Sequence, residues 1–366
     1  MGQTTGPARL VPPGRIIARE LEARGWQQRD LAEIMGRPEQ AISEIINDKK
    51  QITPETAREL ASAFGTSVDL WMNLEASYRL HLAQRKAEEE MIRRRARLYT
   101  VAPYGELVSR GWIEDRENLD EQEQELCRFL GVSSLDEQPC LALAARHSAH
   151  GEPERLALIA WAKRVEYLAR RQSVGPFSAD RLQEAISDLL NLAAEPEHVR
   201  SVPDRLLHAG VHLAIVPHLR QTYLDGAAFY VDDRPVVALT LRYDRLDSFW
   251  FTLLHELAHI VLGHQGIYLD RLDDGRVMTD EERQADQQAQ DWLIDRQEHD
   301  RFVRRGAYTS AAIRQFAHQR RRHPAIVVGR LQHDGLLSYK RFPNLRVRVR
   351  EHLDPWIDRA NGRALT

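Results

Sequence analysis

The sequence predicts a multidomain chain: an all-α domain of short helices, then a helical connecting region, then an α+β domain built around one apolar helix. Three observations predict it. From Gly14 to about residue 95, short runs of helical periodicity are broken by Gly25, Gly36, "NDKKQ" and Gly65, which fits five short helices. From about residue 98 to 205 the period stays helical, as in "LALIAWAKRVEYLARR" and "ADRLQEAISDLLNLAA", whose apolar stripes read as core. At Gly210 the character changes to the β-branched runs "VHLAIVPHL" and "RPVVALTLRY", with the turn-bounded "DGAAFYVDD" between them. The resulting division is a lead-in at 1–13, a first domain at 14–80, a connecting region at 81–205, an α+β domain at 206–335 and a C-terminal extension at 336–366.

Composition narrows the classes. With 366 residues, 43% hydrophobic and 29% charged, the chain can bury a substantial core. A formal net charge of -3, from 51 Lys and Arg against 54 Asp and Glu, means that binding to nucleic acid must come from a local patch. Cys127 and Cys140 form no CxxC pattern and no disulfide framework, which fits a reducing cytoplasm. No apolar run is long enough to span a bilayer, and "MGQTTGPARLVPPGR" lacks the apolar core of a signal peptide. The charged stretch "QRKAEEEMIRRRAR" reads as a solvated connecting helix.

The first domain carries helix-turn-helix spacing in "QRDLAEIMGRPEQAISEIIN", residues 28–47. Ala32 is small where two helices meet, Gly36 sits where the turn favours positive φ, and Leu31, Met35, Ile42 and Ile45 point inward. Pro38 can start the second helix without losing a hydrogen bond. That leaves Glu39, Gln40, Ser43, Glu44 and Asn47 on its open side: Gln40 and Ser43, with Glu44 beside them, suit base edges, while Arg37, Lys49 and Lys50 suit phosphates. The bland alternative is a small helical bundle with a polar face. The longer stretch from "RELEARGWQQRDLAEIMG" to "SVDLWMNL", about residues 14–80, resembles the Xre-like helix-turn-helix of HigA-type antitoxins, through "I-N-D-K-K-x-I-T-P-E-T-A" and "W-x-N-L" as well as the core motif. The resemblance implies a homodimer on a palindromic double-stranded DNA operator.

Strands of the α+β domain lead into "FWFTLLHELAHIVLGH", residues 249–264, an apolar helix with Asp247 as its expected N-cap. His255, Glu256 and His259 form HExxH inside it. Positions four apart share a helix face, so both imidazoles can hold one zinc ion, and Glu256 suits the general base that takes a proton from an attacking water. Chance can also produce the bare five-residue pattern; the strands before it and the apolar helix around it favour a metal site. A third ligand is required. His264, nine positions past His255 on a continuous helix, falls nearly opposite the ligand face, so it is expected at the helix end or behind a ligand imidazole rather than as a ligand itself. Glu282 on the following helix is the expected third ligand and Asp286 the carboxylate that orients an imidazole. The competing reading makes Glu282 the partner of Thr279 in a capping box, and Glu281 is a rival ligand.

The run "GAAFYVDDRPVVALTLRYDRLDSFWFTLLHELAHIVLGH", followed by "EERQADQQAQDWLID", resembles the ImmA/IrrE family of metallopeptidases, whose HExxH helix precedes an "E-x-x-A-[ND]-x-x-A" helix matched by Glu282, Ala285, Asp286 and Ala289. The match covers about 205–335, including "HPAIVVGRLQ", and departs at "QAQDWLID", where the family has an aromatic and Leu-Met-Pro ending. It implies a zincin-like fold, His255, His259 and Glu282 as zinc ligands and Glu256 as base. Gly226, Ala227 and Ala228, in "GAAFYV", are the expected substrate strand by β-augmentation, against an ordinary hairpin strand. Tyr230, Tyr243, Tyr268 and Arg242 are candidate oxyanion partners. Together these expectations describe a DNA-binding regulator fused to a zinc endopeptidase that cuts a repressor or antitoxin, possibly itself, in a stress or toxin-antitoxin response. The alternative is an antitoxin or ligand-sensing transcription factor whose peptidase-like domain mainly binds a partner.

Overall fold

The computed structural model describes residues 11–137, 139, 152–220, 222–264, 268–270 and 279–359. Most of the expected lead-in, and Cys140, lie outside the described residues. The chain divides into two compact units, Met1–Ala96 and Arg97–Thr366.

In the first unit, helices α1 (Pro13–Arg24), α2 (Gln28–Met35), α3 (Glu39–Ile46) and α4 (Pro54–Phe64) are followed by α5 (Val68–Val101). Gly36 ends α2 at φ 64°, the left-handed conformation that turns the chain toward α3. Thr53 caps α4, its hydroxyl accepting from the Thr56 amide at 3.2 Å. Ile17, Leu31, Ile42, Ile45, Leu60 and Trp71 close the core, and Met35 is packed against it only partly buried. The expectation of five short helices is corrected: there are four, and the fifth runs for 34 residues. Between Gly65 and Pro103 the sequence offers neither Gly nor Pro to stop it.

The second unit opens on the last residues of α5 and continues with α6 (Tyr104–Ser109), α7 (Leu119–Leu130), α8 (Glu152–Ala169), α9 (Ala179–Leu192) and α10 (Val202–His208). Strands β1 (His212–Ile215), β2 (Gly226–Val231) and β3 (Arg234–Leu239) lead into α11 (Leu246–Val261), and β4 (Tyr268–Asp270) follows. Helices α12 (Asp280–Leu293), α13 (Arg296–Arg305), α14 (Ser310–Gln319), α15 (Pro324–His333) and α16 (Arg350–Leu353) complete it. The sheet order is β1-β3-β2-β4, with β1 parallel to β3 and β2 antiparallel to both β3 and β4.

Both faces of this sheet are apolar, because successive side chains alternate sides. Leu213, Ile215, Ala228, Val237 and Leu239 face a core shared with α9 to α16. Ala214, Ala227, Phe229, Val236 and Ala238 face a second core with α6, α7 and α8. A sheet apolar on both faces needs helical cover on both. The segments expected as a connecting region and a C-terminal extension supply much of it. Trp161, Leu182 and Leu189 come from the former and Leu345, Val349 and Leu353 from the latter. Val347 accepts from the Leu246 amide at 2.9 Å, and Ile357 bridges Ile215 beside β1. Among the described residues, no helix is long and apolar enough to cross a membrane.

Candidate metal centre and nucleic-acid face

Helix α11 is apolar almost all round, with Phe249, Trp250, Leu253, Leu254 and Leu257 buried. Its start differs from expectation: Arg245 is the N-cap residue, and Asp247 sits inside the first turn, held by Arg245 Nε at 3.0 Å. Within this helix His255, Glu256 and His259 are 1%, 0% and 1% exposed. Three ionisable groups at such depth require polar partners, since an uncompensated buried charge is costly.

For the two histidines, α12 supplies such partners. Glu282 Oε2 lies 3.1 Å from His255 Nε2 and 3.6 Å from His259 Nε2, and the two Nε2 atoms are 3.0 Å apart. Asp286, one turn on, places Oδ1 at 2.8 Å from His255 Nδ1. A proton on that Nδ1 leaves the Nε2 lone pair turned inward. Two imidazole nitrogens and a carboxylate oxygen then converge on one point, an arrangement that a cation relieves. Tetrahedral ligands at about 2.0–2.1 Å from zinc stand roughly 3.3–3.4 Å from one another, so the observed triangle fits that ion. Among the described residues these three form the group able to hold a metal, and Glu281 is not part of it.

Burial lowers the His259 pKa, against the Glu282 carboxylate, which accepts from the ring and raises it. Burial alone would raise Glu282; its close contacts with the His255 and His259 rings outweigh it and bring the carboxyl down to about 2. The expected competition between capping and ligation resolves by atom. Thr279 Oγ1 caps α12 by accepting from the Glu282 amide at 3.2 Å, which leaves the Glu282 carboxylate for the histidines.

His264 is brought closer than a continuous helix allows. α11 ends at Val261, Gly263 turns left-handed at φ 68°, and the His264 amide returns to the His259 carbonyl at 3.0 Å. The two Nδ1 atoms of His259 and His264 are then 3.0 Å apart. His264 Nε2 lies 3.3 Å from Gln284 Oε1.

The expected substrate strand requires correction. Gly226, Ala227 and Ala228 pair with Leu239, Ala238 and Val237 on one side and with Asp270, Leu269 and Tyr268 on the other. All three are buried in an inner strand, so their backbone has no open edge for β-augmentation. Their small size serves packing: a Cβ on Gly226 would collide with Glu256 Oε1 and Thr252 Cγ2, so only glycine lets β2 lie this close to the HExxH helix. Tyr230 is exposed on β2, and Arg242 stacks on Tyr223 and Tyr243 ahead of α11. The Tyr268 side chain lies outside the described residues. Two neighbours that the motif does not flag are Phe251, its ring centroid 6.0 Å from that of His255, and His333, 6.1 Å from Phe251. Phe251 is legible as the residue one turn before His255; His333 arrives from α15 with no local signal.

In the first unit Gln40 and Glu44 lie one turn apart on α3, Gln40 Nε2 donating to Glu44 Oε1 at 3.1 Å. Asn47 Nδ2 donates to the Ser43 carbonyl at 2.8 Å. Gln40, Lys49 and Lys50 are exposed, while Ser43 and Glu44 are half-buried. Arg37 is turned away from its expected phosphate role: its Nε is 2.6 Å from Glu59 Oε2 on α4, with Glu55 at 3.7 Å.

Comparison with known proteins follows these two regions. Residues 17–71 match the family model described as Helix-turn-helix, and residues 245–353 match Peptidase U49. The peptidase match thus spans α11 to α16 and includes part of the expected extension. The family matched there is Peptidase U49; ImmA/IrrE is not specifically shown. An uncharacterized HTH-type transcriptional regulator, YbaQ, of Escherichia coli (strain K12) is 35% identical over 95 residues, 25% of this chain and 80% of that protein. Virulence-associated protein I of Dichelobacter nodosus is 31% identical over 84 residues, 23% of this chain and 76% of that protein. Among solved structures, an addiction module antidote protein of the HigA family from Coxiella burnetii is 31% identical, covering 24% of this chain and 95% of that one, with a TM-score of 0.22.

Proposed function

Through its first domain the chain belongs to the helix-turn-helix family of HTH-type transcriptional regulators, and from that premise we propose a DNA-binding regulator whose second unit is a zinc-dependent endopeptidase. The carrying observation is the convergence of His255 Nε2, His259 Nε2 and Glu282 Oε2, 3.0 to 3.6 Å apart, beside the fully buried Glu256, in a region similar to a peptidase family.

His255, His259 and Glu282 would hold the zinc ion, which when bound supplies a Lewis acid to a water and to the scissile carbonyl. Glu256 takes the proton from the attacking water and returns it to the departing amide nitrogen. Asp286 holds the His255 ring by Nδ1 and so fixes which nitrogen faces the ligand triangle. His264 stands against the outer nitrogen of His259 in the same way. On α3, Gln40 and Ser43 read base edges with Glu44 beside them, and Lys49 and Lys50 meet phosphates in a homodimer on a palindromic operator.

The substrate class is a repressor or antitoxin, cut in the cytoplasm during a stress or toxin-antitoxin response; the pairing of a regulator domain with a peptidase-like domain supports it. The test is incubation of zinc-loaded full-length protein, and of Glu256→Gln beside it, with purified helix-turn-helix repressors and antitoxins, followed by mass spectrometry of the products. Fragments absent from the Glu256→Gln sample are expected. A panel left intact by the zinc-loaded protein would sink the substrate assignment, and cuts made equally by Glu256→Gln would sink the mechanism.

A further inference from the structure

We propose that the cavity near the start of α11 receives one large uncharged apolar side chain, aliphatic or aromatic, of the polypeptide held at the metal centre; the assignment rests on the peptidase reading above. The cavity measures about 390 Å³ and is walled by Phe251, Leu293, Ile294, Ile326 and Gly329, with Ser248 and Gln290 among its polar groups. That volume is of the order of binding pockets, roughly 300–1,000 Å³, and exceeds what a chance packing defect leaves.

The cavity lies along the same helix face as the metal centre. Ser248, Phe251, His255 and His259 are spaced three or four apart and share one face of α11. Glu282, Asp286 and Gln290 are spaced four apart on α12, which runs back along that face: Glu282 and Asp286 meet the histidines, and Gln290 with Leu293 meets the cavity. The ligand triangle and the cavity are therefore two stations of one helix-helix groove: the nearest wall residue, Phe251, stands about one turn before His255 on α11, and Gln290 about two turns beyond Glu282 on α12. A long side chain next to a bond held at the first station reaches the second.

The chemistry of the walls selects the guest. Arg245 is matched by Asp247 at 3.0 Å and by Gln332 at 3.2 Å, and Arg330 and His333 by Asp334 at 2.9 and 3.4 Å. A charged guest would lose its hydration and find each wall charge already matched, whereas an apolar guest gains from burial. The pocket is also braced: a Cβ on Gly329 would collide with Asp247, so α15 and α11 are locked together at its floor.

The experiment fills the pocket without touching the ligands or Glu256. Zinc-loaded wild type, Ser248→Phe and Gln290→Trp are given a proteome-derived peptide library, cut sites are read by mass spectrometry, and zinc is measured in each. The wild type should favour Leu, Ile, Met, Phe or Tyr at one position beside the cut. Either filled variant, at unchanged zinc content, should lose at least tenfold of that preference and turn to Gly, Ala or Ser. In parallel, N-acetyl-L-phenylalaninamide should shift the methyl resonances of Leu293, Ile294 and Ile326 in the full chain, N-acetylglycinamide should not, and the shift should vanish in the filled variants. Cleavage without side-chain preference, a preference that survives filling, or no methyl shift would overturn the pocket alone. Absence of all cleavage would overturn the peptidase reading and the pocket's substrate role together.

Discussion

Helices α3 and α11 make opposite use of polar residues. α3 keeps Gln40 at the surface and buries Ile42 and Ile45 beneath it, so its polar face is a by-product of ordinary amphipathic packing. Its side chains satisfy one another locally, Gln40 with Glu44 and Asn47 with Ser43. α11 buries His255, Glu256 and His259 to 1% exposure or less and takes the partners of both histidines from α12, 23 or more positions along the chain. An exposed recognition face tolerates single changes, because water replaces a lost partner. A buried ionisable cluster does not, because each member left alone carries a desolvation penalty of several kcal/mol.

The sharpest contrast is expected at Glu256. Glu256→Gln should lower the cleavage rate by about 10²–10⁴-fold with zinc content unchanged, measured by single-turnover cleavage and metal analysis side by side. Retained activity would place the base elsewhere.

Next come the proposed ligands. His259→Ala and Glu282→Ala should each lose zinc on dialysis, whereas Asp286→Asn, which removes only the charge that orients His255, should weaken zinc affinity by about 10–100-fold. Full zinc occupancy in Glu282→Ala would remove that carboxylate from the site and reduce it to a group beside the helix start.

The exposed helix should respond more mildly. Lys49→Ala should weaken operator binding about uniformly across sequences and reduce the salt slope by about one ion, while Gln40→Ala changes sequence preference. Arg37→Ala, whose guanidinium is held by Glu59, should cost at most about 1 kcal/mol of stability in the first unit and leave the salt slope unaltered. A salt slope that falls as much for Arg37→Ala as for Lys49→Ala would return Arg37 to the phosphates.

The smallest effect concerns pH. Burial alone would raise the Asp334 carboxyl, but the hydrogen bond to His333 and the Arg330 guanidinium hold it below its ordinary value of 3.8. A depressed folded-state pKa means that this contribution is present above the ordinary value and fades as pH falls through the folded one. Asp334→Asn should therefore melt lower than wild type at neutral pH, with the gap closing below pH 3.8. A gap that is constant with pH would assign the loss to packing.

The sequence by itself determined the local chemistry. HExxH on an apolar helix fixes which residues share a face, and the glycine and proline positions around α2 and α3 fix where the short helices stop, because helical periodicity and left-handed turns are properties of a few neighbouring residues. The same locality explains the legible Glu282 and Asp286, four apart on the next helix. Tertiary structure decided what depends on distant segments: that β2 lies inside the sheet with both edges paired at Gly226–Ala228, and that Gly263 swings His264 back onto His259. It also turned Arg37 toward α4 and formed a cavity from α11, α12 and α15. None of these has a sequence period, since each depends on which apolar surfaces meet when two cores close around one sheet, and the free energy of that closure is summed over residues far apart in the chain.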